Sequence, residues 1–131
     1  MACFVNFSNH PSEHWNSAQL AAAGQYGEVL DLPFPSVGPN FGERDVVCLA
    51  EHYAEEILLL RPVAVMCQGE FSLCFAVTQL LQSRRITVLC ACSERKVEEY
   101  LNDDGRTEKR TEFTFVRFRE YTQGGILNEM V

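Results

Sequence analysis

The sequence predicts an α/β fold, a mainly parallel sheet built as βαβαβαβ and extended by a C-terminal β-hairpin. Three observations carry this. Unbroken apolar runs at Val63–Cys67 and Ile86–Cys92 have the form of strands covered on both faces. Apolar residues recur at helical spacing from Glu43 to Leu60. Asn102-Asp103-Asp104-Gly105 is a turn signal between two strand-like runs. At 131 residues the chain suits a single domain, expected over residues 1–121, with the hairpin at about 96–118 and a flexible tail at 122–131.

Each element has its own reason. Cys3 to Phe7 is an apolar run broken by Ser8-Asn9-His10-Pro11-Ser12, so it reads as the first strand and a polar loop at its C-terminal end. Asn16 or Ser17 can cap a helix through about Gln25, with Leu20 and the alanines facing inward and Gly27 as the stop. Val29 to Leu32 is the second strand. The three prolines of Pro33-Phe34-Pro35-Ser36-Val37-Gly38-Pro39 fix φ and remove donors, so an ordered loop follows. The long helix ends before Pro62, the third strand follows, and a third helix opens at Gly69 or Glu70 and runs to about Ser83. The fourth strand at Ile86–Cys92 reads as fully buried, and Ser93-Glu94-Arg95-Lys96 as the loop after it. Face alternation slips between Phe115 and Val116 in the last strand-like run, which predicts a bulge or burial on both sides. There is no internal repeat and no low-complexity segment.

Composition narrows the function classes. Hydrophobic residues make up 47% and charged residues 22%, values compatible with a packed core. Eleven Lys and Arg against 18 Asp and Glu give a formal charge of −7, the wrong sign for tracking along a nucleic-acid polymer, so no long nucleic acid is expected as partner. No Lys or Arg precedes Arg44, and seven of the 11 fall between Arg95 and Arg119. The N-terminal residues lack the basic start and apolar run of a signal peptide, and no window suits a membrane span; a cytoplasmic protein without membrane contact is expected. Six cysteines without a Cys-x-x-Cys pair read as reduced thiols, mostly buried in strands.

In an open parallel sheet, ligands bind beyond the C-terminal ends of the strands. The loop after strand one offers Asn6, Ser8, Asn9 and His10, with Trp15 and Gln19 following. These residues equally suit turns and caps. His10 can serve as general acid or base, or remain a surface histidine bonded to local backbone. After strand three, Gln68, Gly69 and Glu70 combine a tight turn with a carboxylate that either starts a helix or acts as base or hydroxyl acceptor. After strand four, Ser93 offers a hydroxyl, and Arg95 and Lys96 supply the cations. Arg95 is the first choice for a phosphate, against an ion pair with Glu94, Glu98 or Glu120. The phosphate-loop, dinucleotide-binding and serine-hydrolase motifs are all missing, and His10, His14 and His52 lack the spacing of a metal helix, so neither metal nor cofactor is expected.

The small sheet with its appended hairpin, the loop Asn6-Phe7-Ser8-Asn9-His10-Pro11 and the Ser93-Glu94-Arg95 segment together resemble the small CRISPR-associated ring nucleases, which have a CRISPR-associated Rossmann-like fold. The resemblance covers the architecture of about residues 2–92 and the wording of the first loop. It implies a homodimer whose loops enclose a cyclic oligoadenylate, with tetra-adenylate the expected ring, and a metal-independent cleavage that ends type III CRISPR antiviral signalling. The 2′-hydroxyl of a ribose attacks the adjacent phosphate and leaves a 2′,3′-cyclic end. Carried over by position, Ser8 and Asn9 hold phosphate or ribose, His10 assists proton transfer and Arg95 stabilises the phosphorane. Asn6, Ser93, Lys96 and the main chain at Gly69 complete the ligand contacts, and Gln68 and Glu70 line the adenine or ribose side. One departure is the first loop, which has no Lys or Arg. Two other classes stay open from the residues: a non-catalytic nucleotide sensor or interaction module, and a small-molecule nucleoside enzyme using Glu70 or a cysteine such as Cys92.

Overall fold

The computed structural model describes residues 2–123. Residues 124–131, most of the expected tail, lie outside them. The elements run β1 (Cys3–Ser8), a 3-10 turn (Ser12–His14), α1 (Ser17–Gly24), β2 (Glu28–Pro33), α2 (Glu43–Leu59), β3 (Ala64–Cys67), α3 (Phe71–Ser83), β4 (Thr87–Leu101) and β5 (Thr107–Glu120). They form one five-stranded sheet of order β2-β1-β3-β4-β5. The β1–β2, β1–β3 and β3–β4 pairs are parallel, and β4–β5 is antiparallel. The fold is therefore α/β with a mixed sheet that is parallel through its first four strands.

Alternation along the strands sends side chains to two cores. Cys3, Val5, Phe7, Val65, Cys67 and Val88 face the layer of α2 and α3 and pack on Ala54, Ile57, Leu73 and Val77. Phe34, just past β2, closes that layer with its ring 4.7 Å from Phe7. Phe4, Ala64, Met66 and Leu89 face the other way, onto Trp15, Ala23, Phe115 and Phe118. The second face is covered by one helix of eight residues and by aromatic side chains of the sheet itself. Part of it at the C-terminal strand ends is left for a cleft.

Several expectations change. Leu20 does not pack inward; it is 41% exposed, because α1 buries only Ala23 and half-buries Ala22 and Gln19. α1 ends at Gly24, before Gly27. The fourth strand is not fully buried, since Cys90, Ala91 and Cys92 are half-buried. Cys48 is exposed, and all six cysteines are free.

The largest correction concerns Ser93-Glu94-Arg95-Lys96, which is no loop. β4 runs through it without a break, pairing Ser93 with Phe115, Arg95 with Phe113 and Lys96 with Glu112. The supposed first hairpin strand is the outer half of β4. Polar residues are accommodated because this half pairs only with β5; β3 reaches no farther along β4 than the Met66–Leu89 pair. The bulge falls where the alternation slips: Cys92 opposes Arg117 and Ser93 opposes Phe115, so Val116 is the extra residue. The ribbon ends in a turn whose Asn102 Oδ1 accepts from the N–H groups of Asp104 and Arg106, both at 3.0 Å, with Gly105 at φ 78. Among the described residues no helix is long and apolar enough to cross a membrane.

Candidate functional site

β1 and its loop are held by buried polar groups. Asn6 and Ser8 point to the same face as Phe4 but lie where the sheet has no helix above it, and both are buried. Ser8 Oγ donates to Asn6 Oδ1 at 2.6 Å and accepts from His10 N at 3.1 Å. Asn6 Nδ2 donates to His10 O at 2.9 Å and to Asp31 Oδ1 at 3.0 Å. Trp15 Nε1 donates to the same His10 carbonyl at 3.1 Å. Asp31 on β2 accepts from Ser12 N at 3.1 Å and Ser12 Oγ at 3.0 Å. The backbone of His10 is thereby fixed from several directions. Asn6 and Ser8 spend their hydrogen-bonding capacity on this loop.

The held loop forms one wall of a cleft of about 910 Å³. Asn9, His10, His14 and Trp15 come from the β1–α1 connection, and Asn16 and Gln19 from the start of α1. Met66 and Gln68 come from the end of β3, and Ala91, Ser93, Phe113 and Phe115 from the hairpin. Asn16 caps α1, accepting from Gln19 N at 2.9 Å. Gln68 Oε1 accepts from Ala91 N, a ladder position that β3 leaves open once it turns away. Six residues that the sequence nominates, Asn9, His10, Trp15, Gln19, Gln68 and Ser93, therefore line one cavity. His10 and His14 are the titratable side chains of the lining, and His14 Nε2 lies 3.6 Å from Glu13 Oε1.

The other nominated residues lie elsewhere. Arg95 stands one rung past Ser93, on the same face of β4 by strand alternation and beyond the lining. It makes no ion pair among the described residues, so neither Glu94, Glu98 nor Glu120 holds it. Lys96 belongs to the opposite face. Gly69 abuts the buried Phe34 ring, and a Cβ added there would meet Phe34 Cε1 at 2.5 Å. Glu70 caps α3: Oε1 accepts from Ser72 N at 3.0 Å and Oε2 from Leu73 N at 2.9 Å, while the Ser72 hydroxyl donates to both oxygens. The Ser72 hydroxyl first, and then the Leu73 and Ser72 N–H groups, hold the Glu70 carboxyl below its ordinary value, which disfavours it as a base at neutral pH.

The sequence reading missed His14, Asn16, Met66, Phe113 and Phe115 as site residues. The two phenylalanines sit more than 20 positions past Cys92, the end of the expected fourth strand, and reach the cleft only through the antiparallel register of β5. Their alternation on one face of a strand, Phe113 and Phe115, was the available signal. Among the described residues no three His, Cys, Asp or Glu side chains converge as a metal-binding group. The arrangement offers neutral donors and acceptors, two imidazoles and aromatic faces at the mouth of a cleft on parallel strand ends, a chemistry suited to a nucleobase or ribose.

Comparison with the curated proteins finds no match to the chain. The sequence model of the uncharacterized protein MJ1673 family matches residues 2–119, nearly the whole described chain, and the protein belongs to that family.

Proposed function

We propose that the protein is a ring nuclease that binds a cyclic oligoadenylate between two copies of the chain and opens it without a metal, in the cytoplasm, as the off-switch of a type III CRISPR signal. The observation that carries the reading is the convergence of Asn9, His10, Gln68 and Ser93 on one cleft with Phe113 and Phe115. The strand order, with parallel pairing from β2 through β4 and the cleft at the C-terminal strand ends, supports a Rossmann-like assignment. In this reading Asn6 and Ser8 position His10 and do not touch the ring. His10 accepts the ribose 2′ proton as the 2′-oxygen attacks the adjacent phosphorus; the bond from phosphorus to the 5′-oxygen breaks, and that oxygen takes a proton. Arg95, on the ribbon beside the cleft, faces the phosphate charge. The cleft has the size of a single small-molecule site, and the second copy supplies room for the rest of the ring.

Incubating the purified protein with cyclic tri-, tetra- and hexa-adenylate in EDTA tests this. Linear products ending in 2′,3′-cyclic phosphate are expected, and intact rings of all three sizes would refute the enzymatic reading. One observation favours a second reading, a sensor that holds the ring uncut: no Lys or Arg lines the cleft itself. Saturable binding with no cleavage over hours would establish it.

A further inference from the structure

On the sheet face opposite the cleft, Cys67 closes β3 and Cys74 lies in the first turn and a half of α3. Their sulfurs stand 3.5 Å apart. A disulfide requires about 2.05 Å, so joining them asks the two sulfurs to approach by about 1.5 Å. Cys74 Sγ also lies 3.2 Å from Cys67 O, and Tyr121 Oη donates to that same carbonyl at 2.8 Å, holding the strand end against the helix. We propose that Cys67 and Cys74 are a peroxide-oxidisable dithiol that closes a disulfide across the β3–α3 junction.

The two sulfurs are not equivalent. Cys67 is fully buried, whereas Cys74, also buried, retains 9% exposure and is the more accessible of the two. The Cys67 thiol, donating to Cys74, holds the Cys74 thiol below the ordinary range, and Cys74 and burial push Cys67 up, so Cys67 keeps its proton. Thr78, one turn beyond Cys74, is buried with its hydroxyl unpartnered. That hydroxyl is free to donate to an oxygen carried by Cys74.

The Cys74 thiolate attacks one oxygen of hydrogen peroxide: the S–O bond forms, the O–O bond breaks, and the departing hydroxide takes a proton from solvent to leave as water. The Cys67 sulfur then attacks the Cys74 sulfur. The S–S bond forms, the S–O bond breaks, and the hydroxide departs with the Cys67 proton as a second water. Two thiols lose two electrons, and peroxide gains them.

The test treats the folded protein with hydrogen peroxide at a dose that oxidises the exposed Cys48, blocks remaining thiols in denaturant, and digests after Glu and Arg. Cys67 then falls in residues 57–70 and Cys74 in residues 71–84. The expected product is a species joining the two peptides that separates on reduction. In Cys67→Ser, Cys74 is expected to take up glutathione or further oxygen; in Cys74→Ser, Cys67 stays unmodified. Two alkylated peptides, or Cys74 carrying oxygen unlinked to Cys67 in the unsubstituted protein, would overturn the proposal, and this readout does not depend on either variant folding.

Discussion

Ser8 Oγ donates to Asn6 Oδ1 at 2.6 Å, and both side chains are buried. The bond joins alternate residues of one strand, leaving Asn6 Nδ2 free to reach both His10 O and Asp31. Ser8→Ala removes the donor and also the acceptor of His10 N. A loss of about 1–3 kcal/mol is expected. Urea denaturation should show a lower midpoint at unchanged slope. A Ser8→Ala protein of full stability without turnover would instead place Ser8 in the chemistry.

His10→Ala should lower kcat on cyclic tetra-adenylate by roughly 10²–10⁴-fold, with a smaller change in KM. Arg95→Ala should weaken both, because its charge meets the phosphate in ground and transition states alike. Undiminished turnover in the His10 variant removes it from the mechanism.

Phe113 is 71% exposed at the mouth of the cleft and is paired in register with Arg95. Phe113→Ala should therefore leave stability within about 0.5 kcal/mol of the starting protein. If the ring stacks on a base, the same change weakens nucleotide binding by about 1–3 kcal/mol and Phe113→Trp restores it. Titration calorimetry with an oligoadenylate measures both.

The Glu70 cap predicts a pH dependence. Its folded pKa lies below the ordinary carboxylate value, so its contribution is present above that value and is lost as pH falls through the folded one. Glu70→Gln keeps an acceptor but no charge. The stability difference between the two proteins should be constant at neutral pH and shrink in acid. A difference that grows in acid would contradict the cap.

Gly69→Ala should cost about 1–3 kcal/mol, because the new methyl displaces the buried Phe34 ring, which is stacked on Phe7. Phe34→Leu in the same background should recover part of the loss, measured by thermal unfolding.

The parallel half of the sheet was legible because Val63–Cys67 and Ile86–Cys92 are apolar on both faces, a pattern few other structures share. The hairpin was half legible: its turn residues stood out, but Ser93–Lys96 reads as a loop by composition because the ribbon there has solvent on both sides. His10 and Gln68 were legible as residues at strand ends. Trp15 was marked as a donor, but its role of bonding the His10 carbonyl was not, and Phe113 entered the site through a register fixed by the bulge at Val116. Those contacts depend on tertiary pairing, not on any local pattern.

The ribbon also sets a hierarchy of opening within the molecule. From Ser93 to Leu101, β4 has β5 as its sole strand neighbour over roughly 30 Å. A two-stranded ribbon in water is marginal by itself. Its amides should exchange with solvent well before those of β1 and β3, which lie inside the sheet. The wall that carries Phe113 is thus the compliant one, and the wall that carries His10 is pinned. Whatever enters the cleft meets an imidazole carried on a pinned backbone on one side and a yielding aromatic arm on the other, so the fraying of the hairpin widens or narrows the cleft while the sheet beneath it stays put.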